Sequence, residues 1–108
     1  MIQRYKNRYV LVESSSPLVH TDGHAVQEIM GLITSEVGNV GFLEASPRIV
    51  HWPSDSTFIL RVNRGHEKEI ILALSFIKSI GGKMHGFYTI KTSGTIRSLL
   101  DFCKKSYA

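Results

Sequence analysis

The sequence predicts an α+β domain with a split βαβ pattern, in which an antiparallel sheet carries two helices on one face and an extra C-terminal helix is added. Three observations predict it. Apolar residues switch between the two-residue period of a strand and the three-to-four spacing of a helix, in the order βαββαβα. Polar turn clusters fall between these periodic segments rather than inside them. The chain has 108 residues, 43% of them hydrophobic, which supports one core and a single domain over residues 1–108 but not two.

Each element is justified by its own residues. Arg4, Lys6 and Arg8 alternate, so they share one side with Val10 and Val12 if the first strand extends back this far. Otherwise residues 1–7 form a flexible basic arm. Tyr9, Leu11 and Glu13 take the other side, and Ser14-Ser15-Ser16-Pro17 ends the strand. After a loop to Thr21, Val26, Ile29, Met30, Ile33 and Val37 form one face of a helix from Asp22 to Val37, which Gly38 closes. Gly41 to Ala45 and Arg48 to His51 read as one strand interrupted at Pro47, which suggests an edge position or a bulge. Trp52 to Ser56 reads as the turn.

Thr57 to Asn63 alternates strictly, sending Phe58, Leu60 and Val62 to one face and Thr57, Ile59 and Arg61 to the other. A second helix is predicted between Gly65 and Gly81, with Ile70, Ala73, Leu74, Ile77 and Ile80 as its main face. Ile71 and Leu72 lie off that face, to be covered either by the chain itself or by a protein partner. Gly81-Gly82 is a C-cap and turn, Lys83 to Thr92 the last strand, and Ile96, Leu99, Leu100 and Cys103 mark a last helix, which has the open face of the sheet to cover.

The charge is unevenly placed. Of the formal +4, residues 1–8 contribute +3 and residues 83–108 contribute +4, while the stretch between them has 5 bases against 8 acids, or −3. Two basic ends brought to one edge of the fold would form a polyanion-binding face, for which nucleic acid is the expected partner of an intracellular protein. The competing account is an ordinary solvated surface.

The strand-to-helix junction Thr92-Ser93-Gly94-Thr95 sharpens that choice. A helix N-terminus presents unpaired N–H groups and the positive pole of the helix dipole, and normally attracts Asp or Glu. Here it is followed by Arg97 and preceded by Lys91, with no acid before Asp101, a pattern that suits an external anion such as phosphate. Capping by Ser93 or Thr95 accounts for the polar residues without a ligand, but not for Arg97.

Other chemistry is not supported. His20 and His24 are four apart but straddle a Thr-Asp-Gly turn without a third ligand, so no metal site is predicted. His51, His66 and His85 are scattered, and the single Cys103 falls on the apolar face of the last helix, as a small core residue does. Neither a membrane span nor a secretory leader is predicted.

Three segments, in order, carry a family resemblance. Thr92-Ser93-Gly94-Thr95-Ile96-Arg97 resembles the Ser/Gly-Gly-Thr-Ile-Arg/Lys signature of the small protein subunit of ribonuclease P and RNase MRP, the Pop-five/Rpp-fourteen family. Arg8-Tyr9-Val10-Leu11-Val12-Glu13 resembles its opening strand, and Phe58-Ile59-Leu60-Arg61-Val62 with Arg64 its aliphatic-Arg-X-X-Arg strand. The resemblance implies a ferredoxin-like/RRM-like fold that does not use an aromatic platform. This agrees with Ile59 and Arg61 standing where RNA-recognition domains carry base-stacking rings.

It further implies a non-catalytic subunit that binds and stabilises the catalytic RNA for removal of 5′ leaders from precursor tRNA, with no catalytic residue and no cofactor of its own. The partners would be ribonuclease P RNA, precursor tRNA and another protein subunit, with a homodimer as a further option and no membrane. On this reading RNA contacts fall to Arg4, Lys6 and Arg8, to Arg61 and Arg64, and to Lys91, Thr92, Ser93, Gly94, Thr95 and Arg97, while Ile71 and Leu72 meet the protein partner. A chain that stops at Ala108 fits the shorter archaeal type, which favours cytoplasm; nucleus or nucleolus is expected for a eukaryotic member. The alternative is a ferredoxin-like regulatory domain in which Lys91, Ser93, Thr95 and Arg97 hold a phosphorylated small molecule. An acylphosphatase-like enzyme is weaker still, because its Arg/Asn pair has no equivalent.

Overall fold

The computed structural model describes residues 7–15, 24–80, 83–84 and 86–107. Arg4, Lys6, His20, Asp22, Gly81, Gly82 and His85 lie outside the described residues. Strand β1 (Asn7–Ser14) is central, pairing antiparallel with β3 (Thr57–Asn63) on one side and β6 (Phe87–Ser93) on the other. Strand β2 (Arg48–Ser54) lies outside β3, giving the order β2-β3-β1-β6.

Strand alternation sorts the apolar residues onto two faces, as the sequence predicts, but each face holds its own core where the sequence reading expects one. Val10, Val12, Phe58, Leu60, Val62 and Phe87 meet helices α1 (His24–Ala45) and α2 (Glu67–Ser75) through Ile29, Ile33, Ile70, Ala73 and Leu74. On the opposite face, Leu11 and Ile59 meet Leu99 and Cys103 of helix α3 (Ile96–Tyr107). The sheet is therefore the middle of three layers, and the C-terminal helix does cover the face left open by the first two. Burial pushes the Cys103 thiol up from its ordinary pKa, away from the thiolate that a nucleophile needs.

Three boundaries differ from the sequence reading. Gly38 does leave the helical path, at φ 80° and ψ 167°, a left-handed conformation that glycine adopts at little cost. The helix then resumes and runs to Ala45, through the stretch that the sequence predicts as strand. Phe42 and Ala45 stand three residues apart, so only a helix turns both to the core, which Ala45 joins fully buried and Phe42 in part. The Ser46 N–H donates to the Phe42 carbonyl at 2.8 Å and ends it.

Residues Trp52 to Ser54 belong to β2 rather than to the turn, which shrinks to Asp55-Ser56. The Trp52 ring is held 5.3 Å from that of Phe58, and Pro53 is tolerated because β2 is an outer strand. Helix α2 ends at Ser75, short of the predicted Gly81, where the N–H groups of Phe76 and Ile77 donate to Ala73 and Leu74 at 3.1 Å in tightened i−3 bonds. Ile77 still reaches the core, but Ile80 sits on a two-residue strand, β4 (Ser79–Ile80), paired with β5 (Lys83–Met84). The expected last strand is thus two, β5 and β6.

Candidate nucleic-acid interface

The strand register gathers residues that are far apart in sequence. One row across the α3 face of the sheet reads Arg48, Arg61, Tyr9 and Ser93, and the next reads His51, Ile59, Leu11 and Lys91. At this end β1 and β2 begin, β3 and β6 finish, and both α2 and α3 start. Arg8, Arg61, Arg64, Ser93, Gly94 and Thr95 are therefore brought to one end of the fold, with Lys91 one row in, while Arg97 in the first turn of α3 also lines a second cavity with Glu13, His51 and Ser54 toward the other end. A side chain at Gly94 would place its Cβ 3.7 Å from a guanidinium nitrogen of Arg8, which shows how near the first strand comes to the junction.

The junction is capped as well as charged. Thr95 is the cap: its hydroxyl accepts the Ser98 N–H at 3.2 Å, and the Ser93 hydroxyl accepts the Thr95 N–H at 3.3 Å. The first turn of α3 nonetheless contains no acid and carries Arg97. Among the described residues Arg97 makes no ion pair, so Asp101 does not neutralise it. A bulge in β6, where Lys91 opposes Leu11 but Thr89 opposes Val12, turns Ile90 and Lys91 to the same side. Ile90 joins the α3 core, and the Lys91 ammonium stands 5.2 Å from the centre of the Phe102 ring. Lys91, Thr95, Arg97, Ser98 and Lys105 line a broad, open cavity of about 480 Å³, with Asp101 as its one acid among the described residues.

Among the described cations of this group only Arg8 makes an ion pair, with Glu67 at 3.3 Å. Burial pushes the Glu67 carboxyl up. Hydrogen bonds from its own backbone N–H and that of Gly65, with the Arg8 and Arg64 guanidiniums nearby, outweigh this and hold it below its ordinary value. The stability this confers is therefore complete above the ordinary glutamate pKa and is lost as pH falls through the lowered folded value. Glu67→Gln is expected to reduce stability at neutral pH by about 0.5–1 kcal/mol, since both side chains are partly exposed. The deficit should close in acid, as measured by urea midpoints across pH; a deficit that persists there would assign the loss to packing.

Sequence reading does not single out Arg48. Its place beside Arg61 follows from cross-strand register, which appears only once β2 is paired. The two residues expected at a protein interface separate: Ile71 packs partly against the main core, whereas Leu72 is 58% exposed. Leu72 lines a groove with Val37, Ala73 and Phe76, between Glu36 and Glu69. Among the described residues no cluster of His, Cys, Asp or Glu is placed to hold a metal ion, and no helix is long and apolar enough to cross a membrane.

The model of the Rpp14/Pop5 family matches residues 8–104, almost the entire chain. The chain belongs to the Rpp14/Pop5 family. Relatives include ribonuclease P protein component 2 of Methanocorpusculum labreanum, 29% identical over 96 residues, a match covering 89% of this chain and 65% of the relative. The proteins of that name from Thermococcus gammatolerans and Thermococcus kodakarensis are each 30% identical over 97 residues, covering 89% of this chain and 81% of theirs. A chain in the cryo-EM structure of yeast ribonuclease MRP superposes with a TM-score of 0.59 at 13% identity, over 99% of this chain and 95% of that one. This last likeness concerns the fold, a four-stranded antiparallel sheet with three helices. The Rpp14/Pop5 match spans every described residue of the cation-rich sheet end, from Arg8 to Lys91 and Arg97.

Proposed function

We propose that this Rpp14/Pop5 chain is a non-catalytic protein subunit of ribonuclease P. It binds the catalytic RNA that removes 5′ leaders from precursor tRNA, and the RNA carries the cleavage. The observation that supports this most is the meeting of Lys91 and Arg97 at one open cavity beside the first turn of α3, with no ion-pair partner for either among the described residues, and with Arg61 unpaired on the same face of the sheet. Phosphates supply the missing negative charge: the guanidiniums and the ammonium neutralise backbone oxygens, and the helix end adds the positive pole of its dipole. The cavity at this end is open rather than enclosed, which suits a passing RNA backbone better than a phosphorylated small molecule. A second protein subunit covers the outward face of α2 around Leu72. The relatives from Methanocorpusculum and Thermococcus support the archaeal reading, with cytoplasm as the compartment.

Pull-down of the chain followed by sequencing of the bound RNA tests the identity of the RNA. Arg97→Ala tests the site. Affinity should fall, and the slope of log affinity against log salt should drop by about 0.7–0.9, the loss of one phosphate contact. The urea midpoint should hold or rise slightly, because a cation leaves the positive end of a helix. An unchanged slope would remove Arg97 from the RNA path.

A further inference from the structure

We infer that Arg48 and Arg61 jointly hold one backbone phosphate of the bound RNA, carrying the RNA path from the start of α3 across the sheet to β2. The inference rests on the RNA-binding reading above and adds a subsite to it.

Arg48 and Arg61 are directly opposite each other in the antiparallel pair β2–β3, so their side chains leave the same face of the sheet. That face is the one α3 occupies, because Arg61 shares the parity of Ile59 and is itself opposite Tyr9. Like charges at directly opposed positions repel, and sheets ordinarily avoid them. Here no acid offsets the repulsion: among the described residues neither guanidinium has an ion pair or hydrogen bond, and only solvent screens the two charges. The four strands of the main sheet contain a single acid, Glu13, which stands roughly 13 Å from Tyr9 along β1 at the opposite end.

Arg48 opens β2 directly after buried Pro47, and its side chain is exposed. Two planar forks rising from opposed positions on one face suit the oxygens of a phosphate, which each fork can engage through paired N–H donors. The row continues through Tyr9 to Ser93 beside the capped junction, a span of three strand spacings or roughly 14 Å, long enough for several consecutive phosphates.

The test uses the full chain, a transcript of the source organism's ribonuclease P RNA, and the variants Arg48→Gln, Arg61→Gln, their double and Arg97→Ala. The double variant should bind about tenfold more weakly and lose about one contact's worth of salt slope, roughly 0.7–0.9. Each single variant should raise the urea midpoint of the free protein, since the repulsion is relieved. A double variant that loses two contacts' worth of slope overturns the sharing of one phosphate, and one with unchanged slope overturns the subsite. In both cases a normal Arg97→Ala response leaves the RNA-binding reading standing. Wild-type protein that does not bind the transcript overturns that reading and this inference with it.

Discussion

Replacing Leu99 by Ala is expected to destabilise the protein by about 2–5 kcal/mol and to weaken RNA binding in the same variant. Leu99 is fully buried, and among the described residues it is one of four buried ones, with Leu11, Ile59 and Cys103, that join α3 to the sheet. How far Tyr9, Val50, Ile90, Leu100 and Phe102, which pack around this cluster, close over the cavity sets where in that range the cost falls. The link to function is positional. Thr95 and Arg97 lie in the cap and first turn of α3, one turn before Leu99, so a helix that no longer seats loses its aim at the sheet end. Urea unfolding and an RNA titration on the same variant check both effects, and Arg97→Ala, which leaves the cluster whole, should move only the second. An unchanged urea midpoint for Leu99→Ala would show that α3 is held by other contacts.

Leu72→Glu should have the opposite profile. The free protein should keep its circular dichroism and its urea midpoint to within about 0.5 kcal/mol, because Leu72 is 58% exposed and its replacement empties no core site. Assembly with the proposed protein partner should weaken by about thirtyfold or more, as it does when an interface loses an anchor. The new carboxylate joins Glu36 and Glu69 on the rim of a groove floored by Val37 and Ala73, so it also adds like charge to the contact. Ile71→Glu is the control, since Ile71 packs against the main core and the charge there should unfold the chain. A lowered midpoint for Leu72→Glu would place Leu72 in the fold rather than in an interface.

Alternation makes the two faces of β1 and β3 legible from the residues alone, because Val10, Val12, Phe58, Leu60 and Val62 have no other way to share a side. The helical spacing of Ile29 and Ile33, and of Leu99 and Cys103, is equally plain. Sequence misleads where local pattern is ambiguous. Gly41 to Ala45 is short and apolar, and Gly38 reads as an end when it is a break inside a longer helix. Beyond the end of α2 at Ser75, Ile80 pairs in β4 with β5, a contact that periodicity does not encode.

The candidate site is legible in the same uneven way. Lys91, Arg97 and the cap at Thr95 follow from local chemistry, since a helix start without an acid can be read residue by residue. Arg8 is more entangled than its sequence suggests, because Glu67 arrives beside it from α2. Arg48 gains meaning only from register.

The irregularities of the outer strands bear on solubility and on the manner of assembly. Strand β2 slips register on either side of His51 and includes Pro53, which has no N–H, while β6 carries its extra residue at Ile90. Neither margin of the sheet offers a regular ladder of free donors and acceptors onto which a fifth strand could zip. The protein should therefore resist margin-to-margin fibre growth even when concentrated without RNA. The proposed protein partner would then engage side chains on the helical surface rather than extend the sheet.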